Sequence, residues 1–216
     1  MLQFNSPFVS FFYQKKKRHS LGATIATKLA IRNPSQWNGV YLSSPLFDQN
    51  FLLGKGSDSL SNQLSFSSLL SSLKLRFLSF FIQTASLVLP KLELFGLKVE
   101  SFKISHDQQI NQQYQEDPLV YHSSLKMRTL RELERGAKDS LSISENVTFP
   151  FHISCGEKDE LVDSKFSRIF HENAKSLSKS IRIYKNFKHE LLIGKGSRTV
   201  RTDLLDWLES RINSLG

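Results

Sequence analysis

The sequence contains a single cysteine, Cys155, among its 216 residues. An intramolecular disulfide is therefore impossible, and the chain fits a reducing compartment such as the cytoplasm. An uninterrupted apolar run of membrane-spanning length is also missing. The most apolar internal stretch, Leu73 to Leu89, is broken by Lys74 and Arg76, which leaves peripheral contact as the only membrane role to expect. The opening residues, MLQFNSPFVSFFYQKKKR, carry no cation ahead of their apolar run and no small-residue cleavage site. A secretory leader has the opposite order, so secretion is not expected. Acidic residues are in the minority, 20 against 29 basic, for a net charge of +9. A basic surplus suits anionic headgroups or nucleic acid. No helix-turn-helix, zinc-finger or RNA-binding signature accompanies it, so specific nucleic-acid binding is not expected.

What is present reads as a folded domain. Hydrophobic residues make up 39% and include 17 Phe, enough for one good-sized core. LGATIATKLAIRNP, residues 21–34, has small and apolar residues at helical spacing and a stop at Asn33-Pro34. WNGVYLSSPLF reads as a short strand ending at Pro45, and the Ser/Gly-rich passage from Gly54 to Ser72 as a loop. Leu73–Leu89 and Leu125–Lys138 have helical periodicity, with an irregular stretch and an Asp117-Pro118 turn between them. TFPFHISCGEKDE and KSIRIYKNFKHE each read as a strand running into a polar turn, and SRTVRTDLLDWLESRI as a terminal amphipathic helix. Strands alternating with helices predict an α/β fold with a mostly parallel sheet covered on both faces.

In such a sheet, side chains at the carboxyl ends of the strands converge on one crevice. Three chemically competent residues fall at such ends. Ser20 lies in a turn opening into a helix, Asp159 follows the strand Phe149–Cys155, and His189 follows the strand Ser180–Tyr184. A serine hydroxyl needs an imidazole to take its proton, and the imidazole needs a carboxylate to fix its tautomer. Each residue alone has an ordinary explanation: a helix cap for Ser20, a turn former for Asp159, one of 6 histidines for His189. Their order and placement together point to nucleophilic catalysis. Cys155 reads as a small buried residue rather than a second nucleophile.

Five segments in the same order resemble the monoacylglycerol lipase group of α/β-hydrolases. RHSLGA is similar to that family's G-H-S-M-G-G turn, VYLSSPLF to its L-V-L-S-S-P strand, and YQEDPLVY to its Y-x-x-D-P-L-V segment. SCGEKDELVD and YKNFKHELL resemble its acid and base turns. The resemblance implies Ser20 as nucleophile, His189 as general base, Asp159 as its orienter and the Leu21 N–H as an oxyanion donor. It implies no cofactor and no metal. It also implies a core of residues 19–46 and 126–216, and a cap over 47–125. Phe77, Phe80, Phe81, Leu87 and Leu89 would line an acyl-chain tunnel or form plain cap core. His19 would help hold the turn. The implied substrates are monoacylglycerols or related lysolipids, cleaved as esters.

Upstream of His19 the likeness fails. Arg18 stands where the family has a glycine packed tightly in its turn, and QKKKR occupies what would be a buried central strand. Four unpaired cations cannot be buried in sequence. Residues 1–18 therefore read as an atypical segment, and the family's first strands and H-G oxyanion loop have no counterpart. That reading predicts a hydrolase lacking its N-terminal part and one oxyanion donor. The alternative is a catalytically inactive remnant that binds lipid or a protein partner.

Overall fold

In the computed structural model the described residues are 19–47, 66–94 and 97–214. The basic run Lys15–Arg18 and most of the Gly54–Ser72 passage lie outside them. Three strands, β1 (Val40–Ser43), β2 (Phe151–Gly156) and β3 (Lys179–Tyr184), form a parallel sheet in that order. Register runs from Val40 opposite Phe151 to Ser43 opposite Ser154, and from Phe151 opposite Lys179 to Gly156 opposite Tyr184. All three strands therefore end at one edge. His19 joins that edge through a parallel bridge to Ser43, on the side of β1 away from β2. The parallel α/β architecture expected from the alternating pattern is the one observed.

Strand side chains alternate between two unlike faces. One face is apolar: Val40, Leu42, Phe151, Ile153 and the buried Cys155 pack with Ala23, Ala30, Phe166 and Phe170. Two helices cover it, α1 (Leu21–Arg32) and one between β2 and β3 (Ser164–Asn173). The buried positions of α1 are Ala23, Thr24, Ala26, Thr27 and Ala30, small side chains that let its backbone lie close to β1. The other face is aromatic and polar. Tyr41 stacks on His152 with ring centroids 5.8 Å apart, and Trp207 of the last helix, Ser197–Asn213, lies 5.8 Å from His152. Tyr184 Oη donates to Asp203 Oδ2 at 2.9 Å, and Arg182 pairs with the same carboxylate at 2.7 Å.

His152 makes this second face sensitive to acid. Burial pushes its imidazole down to about 4, with the Asp203 carboxylate opposing and Arg182 reinforcing the shift. Because the ordinary value is 6.5, the unfolded chain binds more protons between these limits. The contribution is complete above pH 6.5 and is lost as pH falls toward 4, about 3 kcal/mol in all. Denaturant unfolding from pH 7 to 4 is expected to show a shallower pH slope for His152→Gln than for the parent. Equal slopes would remove His152 from the account.

The insertion between β1 and β2 is helical. In chain order it contains α2 (Phe66–Val88), α3 (Gln108–Glu116) and α4 (Met127–Ser142); the helices between and after β2 and β3 are then α5 and α6. Helix α2 begins seven residues before the Leu73 expected from periodicity, so residues 66–72 are helix rather than loop. The irregular stretch hides α3, whose N-cap Asp107 accepts from the Gln109 N–H and which buries no side chain. Ile82 of α2 packs with Met127 and Leu130 of α4, and α4 in turn meets the core where Ala137 packs with Leu46 and Val162.

Candidate active site

Ser20 sits at φ 56°, ψ −119°, between the His19 bridge and the first residue of α1. Positive φ is rare outside glycine, and here it marks a sharp elbow between the His19 bridge and α1. The elbow is clamped from both sides. Its N–H donates to Ser43 O at 3.0 Å, while its carbonyl accepts from Ala23, Thr24 and Leu46 at 3.1, 3.3 and 3.2 Å. Thr24 Oγ1 closes the loop by donating to Leu46 O at 2.8 Å. The Leu21 N–H opens α1 and makes no hydrogen bond among the described residues, which leaves a helix N-terminal donor beside the serine.

The two turns beyond β2 and β3 meet. Glu157 N donates to Tyr184 O at 3.0 Å and Lys158 N to Phe187 O at 2.8 Å. Gly156 permits this approach. A Cβ there would press into the carbonyl oxygens of Phe187 and Lys188 and come 2.8 Å from the carbonyl carbon of Phe187. These are backbone atoms with no side-chain freedom to yield. Gly156→Ala is expected to cost about 3 kcal/mol, lowering Tm by about 6–12 °C. Gly136→Ala, where nothing lies within 4 Å of the added Cβ, is expected to hold or raise Tm. Calorimetry on both variants checks the contrast, and equal shifts would contradict it.

Across this junction Asp159 and His189 come together. Asp159 Oδ2 lies 2.7 Å from His189 Nδ1, with Asp159 1% and His189 4% exposed. A carboxylate only accepts, so Nδ1 carries the proton and Nε2 is left as the basic nitrogen. The other Asp159 oxygen accepts from the Leu161 and Val162 N–H groups at 2.9 and 3.1 Å. The His189 backbone is held as well: its carbonyl accepts from Ser44 Oγ at 2.7 Å and pairs with His19 Nε2 at 2.9 Å. Burial, and next the neighbouring His189 imidazole, push His19 down to about 4. His19 is neutral at pH 7 and donates through Nε2, with its ring 4.3 Å from that of His189. It holds the turn, as the sequence led us to expect.

Ser20, Leu21 and His189 all line one cavity of about 550 Å³, within the size range of small-molecule sites. Asp159 stands behind the imidazole. No hydrogen bond joins the Ser20 hydroxyl to His189 among the described residues, and such bonds commonly tighten only around substrate. Neither the tunnel nor the plain cap-core expectation holds for the aromatics. Phe77, Phe80 and Leu87 are 76%, 67% and 73% exposed, Phe81 and Leu89 are also exposed, and none lines the cavity. They occupy the outer side of α2 and the residue just beyond it, because Leu78, Ile82 and Ala85 take the side facing α4. The cavity wall comes instead from Leu97, Val99, Glu100, Lys103, Ile104, Tyr114, Leu125 and Leu133. Ser44 was not singled out from the sequence; its only signal was its place in the SSP segment.

The sheet, the elbow and the two turns define an α/β-hydrolase. The chain belongs to the family described as serine aminopeptidase S33 (Hydrolase_4), whose sequence model matches residues 18–195. Among curated proteins it is similar to the monoglyceride lipase of Mus musculus, with 26% identity over 200 residues, covering 92% of this chain and 59% of that protein. A putative monoglyceride lipase of Schizosaccharomyces pombe is 33% identical over 102 residues, 47% of this chain and 27% of that one. Among solved structures, a monoacylglycerol lipase of Paleococcus ferrophilus superimposes with a TM-score of 0.70 at 20% identity, covering 89% of this chain and 66% of that one. A soluble variant of Saccharomyces cerevisiae monoglyceride lipase in complex with a substrate analog gives 0.67 at 16% identity, covering 94% and 68%. The chain is thus monoglyceride-lipase-like, and it spans 59% of the length of the mouse relative.

Proposed function

We propose that this protein is a serine ester hydrolase acting on monoacylglycerols or lysolipids. The observation that carries the reading is the 2.7 Å Asp159–His189 contact in the wall of a cavity shared with the elbow serine. Ser20 Oγ attacks the acyl carbonyl carbon and His189 Nε2 takes its proton, while Asp159 stabilises the imidazolium. The Leu21 N–H faces the developing oxyanion. His189 then protonates the departing alcohol oxygen. Water, deprotonated by the same nitrogen, attacks the acyl-serine ester and releases the fatty acid. Residues 47–125 serve as the cap.

The exposed face of α2 supports a peripheral role. Phe77, Phe80 and Phe81 stand beside Leu87 and Val88 in solvent, an apolar patch of the kind that marks an interaction surface. No helix among the described residues is long and apolar enough to cross a membrane. Contact with a lipid surface through this face would bring insoluble substrate to the cap. Fatty-acid release from a 1-monoacylglycerol in anionic vesicles tests both parts. The parent is expected to release fatty acid. Phe77→Glu combined with Phe80→Glu is expected to lose several-fold on vesicles and nothing on a short soluble ester. A folded, monodisperse preparation that hydrolyses neither substrate would refute the reading.

A further inference from the structure

Lys188 lies where three segments meet. Its ammonium donates to the Phe102 carbonyl oxygen at 2.6 Å and pairs with Glu160 Oε1 at 3.1 Å. It also lies 5.8 Å from the centre of the Phe102 ring. Phe102 belongs to a short 3-10 turn of the insertion, Ser101–Lys103. Glu160 follows Asp159, and Lys188 precedes His189. One cation thus bridges the insertion, the acid turn and the base turn. Its side chain is 14% exposed, unusually covered for a lysine. Two further bonds follow the same seam: Glu190 N donates to Ile104 O at 2.8 Å and Lys195 N to the Asp107 carboxylate Oδ2 at 3.0 Å. The segment so tethered supplies Lys98, Val99, Glu100, Lys103 and Ile104 to the cavity wall.

We infer that Lys188 is a positioning residue, locking the insertion onto the Asp159 and His189 turns so that the cavity wall and the imidazole are set together; this rests on the hydrolase reading of the site. Lys188 touches no reacting atom. It acts through the turn that carries His189, and small displacements of a catalytic group are costly in rate. Without its ammonium, the Phe102 carbonyl and the Glu160 carboxylate lose their shared donor, and the bonds from Glu190 N and Lys195 N remain across the seam.

Steady-state hydrolysis of p-nitrophenyl butyrate, a short ester that does not depend on cap contacts for binding, provides the test. Lys188→Met is expected to lower kcat about tenfold with KM within twofold, and Glu160→Gln to lower it about threefold. The double variant is expected to match Lys188→Met alone, since both substitutions remove one tether. Lys188→Arg keeps the charge and the reach and is expected to stay within threefold of the parent. Hydrogen exchange on the same proteins adds a second readout: the Glu190 amide is expected to exchange about tenfold faster in Lys188→Met, with the β2 amides unchanged. Ser20-dependent hydrolysis that is indifferent to Lys188→Met, or additive losses in the double variant, would overturn the inference. If the parent hydrolyses nothing, the hydrolase reading falls by itself. Exchange then decides the tether, and unchanged Glu190 protection would overturn it.

Discussion

Ser20→Ala is expected to reduce kcat by a factor on the order of 10^6, to the level of binding and oxyanion stabilisation alone. Among the described residues no other serine, threonine or cysteine lines the cavity. Ser44 follows Ser43, which holds the Ser20 N–H, but its hydroxyl is fully buried and donates to the His189 carbonyl. Cys155 is buried on the apolar face of the sheet among Phe151, Ile153 and Phe166. The elbow itself is expected to survive, because its clamps are backbone bonds to Ser43, Ala23, Thr24 and Leu46. The variant therefore tests chemistry separately from folding. Residual turnover within a hundredfold of the parent, in a variant with unchanged Tm, would place the nucleophile elsewhere.

Asp159→Asn is expected to lower kcat by about 10^4-fold while the fold persists. Asparagine can keep its oxygen on the Leu161 and Val162 N–H groups, where Asp159 Oδ1 now accepts. Its amide NH2 then faces His189 Nδ1, which must become the acceptor. The imidazole proton moves to Nε2, the nitrogen that has to take the serine proton, and the base is disabled without being removed. Hydrolysis of a soluble ester, read beside the melting curve, checks this. A loss below tenfold would mean that Asp159 is a turn former and no more.

The parts of the molecule that could be read from sequence are those where local pattern and tertiary environment agree. Phe151–Gly156 is a short apolar run because it is the central strand, buried on both faces, and the turn after it had to fall near Asp159. The base turn could be placed for a related reason, since Ile181 and Ile183 alternate with polar residues along β3, the strand at the end of the sheet. Helix α3 was illegible because Ile110 and Tyr114 are its only apolar residues and none of its residues is fully buried, too little periodicity to mark it beside the Asp107 cap. The serines at residues 66–72 suggested a loop, although they continue the helix that carries Leu78 and Ile82. The aromatics of α2 show the limit of pattern more sharply. Helical spacing places Phe77, Phe80 and Phe81 on related faces but does not say whether anything covers them. Ser44 and Lys188 lay beyond reach for another reason. Their partners are the His189 carbonyl, 145 residues away, and the Phe102 carbonyl, 86 residues away. Backbone oxygens carry no sequence signal at all.

The central claim is that Ser20 is made nucleophilic by an imidazole on the same cavity wall. Reaction with a fluorophosphonate probe, followed by peptide mass spectrometry, tests it most directly. The claim predicts one covalent adduct, on the peptide that contains Ser20, forming far more slowly in His189→Ala. A folded protein that takes up no probe, or takes it up on another residue, would contradict it.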